Sequence, residues 1–264
     1  MTNTISTTTT TTDTDIDTLM AFLGAPLESA DAVLDQFASL PGAIRRGEGT
    51  TQFVFVPGHR QNKVLLAAHA DTVWDEHYNS SRSSPHNSSP QQKLINQGGI
   101  IRNENGGLGA DDRAGCALVW LLRDMGHSIL ITHGEEQGRQ GSSWLMDEHE
   151  DIADDINLRH QFAIQLDRRN GKDFKCYEVG TDAFRSYIRK TTGYSEPDRN
   201  SFTDIVTLCR TICGVNLSVG YRNEHTADEY LVIDEWQHTL NLCRQWLSAD
   251  VLPQFLLEEE AVET

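Results

Sequence analysis

The sequence predicts an α/β protein of three layers, α/β/α, built around a mainly parallel mixed central sheet. Three observations carry this: short apolar runs alternate with helical patterning along most of the chain; two of these runs, VLLAA and SILIT, are near-continuously apolar, as in strands covered on both faces; and acidic or histidine residues follow the runs.

Helical patterning begins near Asp15 and recurs over residues 30–40, where Pro41-Gly42 breaks the chain. Residues 51–56 alternate Phe53 and Phe55 with smaller partners and predict a strand; after a Pro57-Gly58 turn, 63–68 predict a second. Residues 79–97, rich in Ser, Asn, Pro and Gln, read as a surface loop able to rim a site. A helix over 111–125 turns Ala114, Ala117, Leu118, Leu121 and Leu122 inward, a strand follows over 128–132, and 142–146 opens another helix. Strands are expected at 161–166 and 175–179. A helix is expected over 203–212, with Cys209 and Cys213 on one face and a left-handed stop at Gly214. A last strand over 215–219 and a closing helix over 234–247, with Leu240, Cys243 and Trp246 on one stripe, complete the pattern. Residues 1–15 read as a disordered Thr-rich tail, 16–250 as one domain and 251–264 as an acidic C-terminal tail.

At 264 residues the chain can bury a substantial core without disulfides. Its five cysteines lack the paired spacing of a disulfide scaffold, so reduced, buried thiols are expected. A formal net charge of −17 and a pI near 4.9 argue against nucleic acid or an anionic membrane as partner and favour a peptide or small amide. No window approaches the roughly 20 apolar residues of a membrane span. The Thr-rich start lacks the features of a secretion signal, so cytoplasmic residence is expected. No oligomeric state is legible.

The chemistry lies in five separated motifs: His69-Ala70-Asp71, Asp111-Asp112, Glu135-Glu136, Asp167 and His225. In an open parallel sheet, active groups collect beyond the carboxyl ends of strands, and most of these motifs directly follow an expected strand. Asp111 instead opens a helix behind Gly106, Gly107 and Gly109. Singly, each has an ordinary role as a cap, turn or core residue. Together they do not: several strands delivering charge to one sheet edge need a shared positive charge, and this acidic chain offers few basic residues nearby to supply it. Two imidazoles with several carboxylates suit a pair of divalent metal ions.

HADTV, GLGADDRAG, GEEQGRQGS, the strand-end Asp167 and NEHTADE together resemble the dinuclear zinc exopeptidase superfamily, over about residues 63–246. The resemblance implies that Asp111 bridges two metal ions, with His69 and Asp167 completing one site and Glu136 and His225 the other. Asp71 would orient His69, and Glu135 would serve as general base and acid. It also implies a cis peptide bond between Asp111 and Asp112. Zinc is the leading metal, with cobalt or manganese able to occupy the same ligands. Many relatives carry a lid of about a hundred residues, a domain's size, between the Asp ligand and the last His. Here only residues 168–224 intervene, so no separate lid domain is expected. Losing the lid removes groups that bind a substrate carboxylate and favours an aminopeptidase. The alternatives are a carboxypeptidase or N-acyl amino acid amidohydrolase using the same site, and a non-catalytic metal-binding protein. Ser201 to Asp204 resemble the family's small-residue-Asp segment, and Tyr221, Asn223 and Glu224 are candidate pocket residues.

Overall fold

The computed structural model describes residues 9–75, 92–198 and 202–257. In chain order the strands are β1 (Ile44–Arg46), β2 (Phe53–Val56), β3 (Leu65–His69), β4 (Leu94–Gln97), β5 (Ile100–Asn103), β6 (Ser128–Thr132), β7 (Ala163–Arg168), β8 (Phe174–Lys175), β9 (Gly214–Ser218), β10 (Tyr221–Arg222) and β11 (Tyr230–Val232). The helices are α1 (Thr9–Leu23), α2 (Asp31–Ala38), α3 (Ala110–Leu122), α4 (Gln140–Glu148), α5 (Glu150–Arg159), α6 (Asp182–Thr192), α7 (Asp204–Leu208) and α8 (Ile233–Leu247).

A seven-stranded sheet runs in the order β1-β2-β6-β3-β7-β9-β8. Its centre, β6-β3-β7-β9, is parallel, and β1, β2 and β8 add antiparallel edges. Alternation along the strands separates two cores. Leu66 and Ala68 of β3 join Ile129, Ile131, Ile164 and Leu166 against α1, α3 and α8, while Leu65 and Ala67 join Leu130 and Ala163 against α4, α5 and α7. Each fully buried leucine or isoleucine contributes about 1.5–3 kcal/mol over leaving it in water, so strands apolar on both faces are held between two helical layers. His69 stands opposite Thr132 in the parallel register, so β3 and β6 end at one level.

A second sheet, β10-β11-β5-β4, is antiparallel. Gly98 and Gly99, at φ 63° and 79°, make the two-residue turn between β4 and β5, where both central residues need positive φ. Because β11 pairs with β5, the loop between β10 and β11 folds back towards the start of α3.

Several expectations are corrected. Helix α1 starts at Thr9, inside the expected tail, and Asp15 is buried in an ion pair with Arg244 at 2.7 Å; residues 1–8 lie outside the described residues. At the other end, Leu252 is buried, Phe255 packs against Phe184 and Tyr187, and Leu256 bridges Ile212, so the polypeptide stays packed beyond residue 250. Most of the expected 79–97 loop lies outside the described residues, and its end forms β4. The helix expected over 203–212 stops at Leu208: Cys209 is already extended, Gly214 begins β9, and Cys209 and Cys213 therefore share no helix face. The strand expected over 175–179 reduces to Phe174 and Lys175. No lid domain interrupts the stretch between β7 and β10 among the described residues, and no helix is long and apolar enough to cross a membrane.

Candidate metal centre

The five motifs meet at the carboxyl edge of the central sheet. β3 ends on His69, β7 carries Asp167 next to its end, Glu135 and Glu136 follow β6, and Asp111 opens α3. His225 comes from the β10–β11 loop with a left-handed φ of 65°. Helix α3 reaches the edge because Gly115 lies flush on β7: a Cβ there would stand 1.8 Å from the Leu166 carbonyl oxygen.

Asp111 stands between two groups. Its Oδ1 is 3.2 Å from His69 Nε2, which is also 3.5 Å from Asp167 Oδ1. Its Oδ2 is 3.1 Å from His225 Nε2, itself 2.8 Å from Glu136 Oε1. Within each triad, His69-Asp111-Asp167 and Asp111-Glu136-His225, the potential ligand atoms all lie within 4.8 Å of one another. The Asp111-Asp112 peptide bond is cis.

The remaining groups support this pair. Asp71 Oδ1 lies 3.4 Å from His69 Nδ1, and the two Asp71 oxygens accept the backbone N–H groups of Glu135 and Glu136 at 3.3 and 3.1 Å. Asp112 faces inward, accepting the His69 N–H at 3.2 Å and the Gly115 N–H at 3.1 Å, so it ties β3 to α3 and joins neither triad. Asp167 is held by the Thr203 hydroxyl at 2.9 Å, the Gln165 amide at 3.0 Å and the Tyr221 hydroxyl at 3.2 Å. Glu135 is not part of either triad; its Oε2 lies 4.0 Å from His69 Nε2.

The packing of so many carboxylates sets the electrostatics. Burial, with the charge of Asp111 acting in the same direction, pushes Glu136 up to about 7 and Asp167 up to about 6. Burial also holds Glu135 well above the usual carboxylate range, reinforced by Asp167, Asp204 and Glu136 against the opposing pull of His69. Burial would raise Asp111 too, but its hydrogen bonds to His225 and His69 hold it low. Burial disfavours charge on the histidines, yet Asp167, Asp111 and Asp71 hold His69 well above its ordinary value, while Asp111 and Glu136 push His225 up to about 12. The cluster thus demands positive charge. Glu136 Oε1 is buried and, His225 apart, without a partner. Two imidazole nitrogens and three carboxylates, one shared, match what two divalent cations take as ligands.

Sequence reasoning missed Glu229. Buried at the end of the β10–β11 loop, it accepts the backbone N–H groups of Leu108, Gly109 and Asp111 at 3.0, 2.7 and 3.1 Å. Its place within NEHTADE was the available signal. Asp204 is buried as well, accepting hydroxyl hydrogen bonds from Ser142 at 2.5 Å and from Thr132, beside the centre rather than in it. A cleft of about 410 Å³ opens over the centre; Tyr221 and Glu224 line it, Asn223 does not. The expected shortage of basic residues is also corrected, since Arg139, Arg168 and Arg169 line the same cleft.

No family model and no curated protein sequence matches the chain. Solved structures do. A tripeptidase from Staphylococcus aureus superposes with a TM-score of 0.65 at 12% identity, over 90% of this chain and 98% of that one. An aminopeptidase from the archaeon Desulfurococcus kamchatkensis superposes with a TM-score of 0.61 at 13% identity, over 90% and 95%. Aminopeptidase PepT from Bacillus cereus gives 0.59 at 14% identity, over 90% and 98%. At such identities the likeness is one of fold: the chain shares the fold of these peptidases.

Proposed function

We propose that the protein is a dinuclear metal-dependent hydrolase of peptide bonds, acting as an aminopeptidase on short peptides. The observation that carries this is Asp111, whose two oxygens face two separate histidine-carboxylate pairs with the uncommitted Glu135 alongside. His69, Asp111 and Asp167 would hold one cation and Asp111, Glu136 and His225 the other, with zinc favoured by the mixed nitrogen and oxygen donors. When bound, the pair would lower the pKa of a water towards neutrality and polarise the scissile carbonyl.

Glu135 moves the proton. Its carboxylate takes one from the attacking water and returns it to the leaving amine, the work of a positioned general base and acid. Asp71 fixes His69, keeping its Nδ1 turned to a carboxylate and its Nε2 turned to the centre. Glu224 supports attack at a free N-terminus: its carboxylate lines the cleft, and a substrate ammonium would compete there with Arg169, which pairs with its Oε1 at 2.7 Å. The cleft arginines favour a second reading, a carboxypeptidase or N-acyl amino acid hydrolase, because those substrates also present a carboxylate.

Metal analysis should find two ions per chain, with hydrolysis lost on chelation. Glu135→Gln should keep both ions and lose turnover by about 10²- to 10⁴-fold; unchanged turnover removes Glu135 from the role. Free-amino peptides should be cleaved in preference to their N-acetylated counterparts, and cleavage of the blocked forms alone would overturn the aminopeptidase assignment in favour of the second reading.

A further inference from the structure

We infer that Arg168 is a specificity residue, binding a substrate carboxylate in the cleft. This rests on the peptidase proposal for its context but on separate residues for its content. Arg168 is 5% exposed and lines the cleft beside Asp167. It forms no ion pair with any described residue, and its buried Nε has no hydrogen-bond partner. A guanidinium so placed is costly to leave without an anion, and here the open side is the cleft.

Strict alternation along β7 would send neighbouring residues to opposite faces. The β7–β9 register shifts between Gln165 and Arg168, and Asp167 and Arg168 both line the cleft. Such irregularities at strand ends re-aim side chains. The other two arginines differ from Arg168. Arg169 is committed to Glu224 at 2.7 Å, whereas Arg139 gives one nitrogen to the Thr207 hydroxyl at 3.0 Å, stacks over exposed Phe202 and pairs with no carboxylate among the described residues. Arg168 and Arg139 thus offer a planar, multi-donor face of the kind that recognises carboxylates.

The ligand chemistry is a carboxylate. With a cleft of about 410 Å³, a size that holds small ligands, it comes either from the free C-terminus of a short peptide or from an acidic side chain. The chain therefore selects peptides that bring a negative charge to the side of the cleft bearing Arg168.

Tri-alanine, its C-terminal amide and alanyl-glutamyl-alanine amide separate the sources. The holoenzyme should favour tri-alanine, the glutamyl amide or both over tri-alanine amide, which carries no carboxylate, by about 30-fold or more in kcat/KM, the loss typical when a buried charge pair is left with one partner. If the glutamyl amide regains the rate, the carboxylate read is the side chain's; if only tri-alanine is fast, it is the terminus. Equal rates for all three overturn the inference and leave the peptidase proposal standing. Arg168→Met should erase the acid-over-amide ratio mainly through KM, with Arg168→Lys recovering part of it. Should Arg168→Met not fold, calorimetric titration of metal-loaded Glu135→Gln with tri-alanine, its amide and the glutamyl amide gives the same comparison without turnover. If no peptide is cleaved, the peptidase proposal fails, while that titration still decides this one: tighter binding of either carboxylate-bearing peptide supports it and equal binding of all three ends it.

Discussion

Glu229 Oε1 accepts the backbone N–H of Asp111 at 3.1 Å, so the loop that delivers His225 also grips the residue shared by both triads. Its other oxygen accepts from Leu108 and Gly109. One buried carboxylate thereby couples the small sheet to the first turn of α3. Glu229→Ala would strand three backbone donors, each costing about 1–3 kcal/mol when left unsatisfied. Urea unfolding should show a loss of at least about 2 kcal/mol, with Glu229→Gln, which keeps one acceptor oxygen, falling between. An unchanged midpoint would show that this anchor is dispensable.

Asp71 stands behind His69 and also accepts from Glu135 and Glu136, so it orients one histidine and the backbone of the glutamate pair together. Asp71→Asn keeps the shape and removes the charge. If His69 holds a metal ion as proposed, competition with a chelator should show metal affinity weakened about 10- to 100-fold, the range for groups that orient metal-bound histidines. Affinity equal to wild type would assign Asp71 a purely structural part.

Gly115 is the contact through which α3 meets β7. With the Leu166 carbonyl 1.8 Å from a prospective Cβ, the obstacle is backbone and cannot swing aside. Gly115→Ala should destabilise by at least about 1–3 kcal/mol, the range for overpacking. It should also reduce metal binding, since the same displacement moves Asp111 relative to Asp167. A fully stable variant with two ions bound would refute the second consequence and the first alike.

That these acids and histidines gather at one sheet edge was legible in the sequence, because strand-end acids such as Asp167 and the glutamate pair have no packing role that explains them. The parallel strands were legible because VLLAA and SILIT are apolar on both faces. The second sheet was not: β10 and β11 are two and three residues long and carry no periodicity, although Gly98-Gly99 was a hairpin signal. Glu229 stayed hidden because, apart from its place within NEHTADE, a carboxylate that accepts backbone N–H groups leaves no pattern along the chain. Arg168 stayed hidden because its exposure to the cleft accompanies a register shift in tertiary pairing, which alternation alone does not foresee. At the C-terminus, the acidic run after Leu257 masked Leu252 and Phe255, two apolar residues that pack into the fold.

His127 provides a pH-dependent contribution to stability away from the centre. Its Nδ1 accepts the Val64 N–H at 3.2 Å, and its Nε2 lies 3.1 Å from the Leu247 carbonyl, an arrangement that requires the neutral ring protonated on Nε2. Burial lowers its pKa to about 4, against an ordinary value of 6.5. Between those values the unfolded chain binds a proton that the native state refuses, so this contribution is complete above about pH 6.5 and is lost as pH falls towards 4. Glu135, Glu136 and Asp167 at the centre, held above their ordinary values, pull the other way, so the effect must be isolated by comparison. His127→Gln removes the titration while keeping a donor and an acceptor. The stability advantage of wild type over this variant, measured by urea unfolding, should shrink by about 2 kcal/mol from pH 7 to pH 5. An advantage that stays constant or grows on acidification would mean that His127 is not held neutral in the native protein.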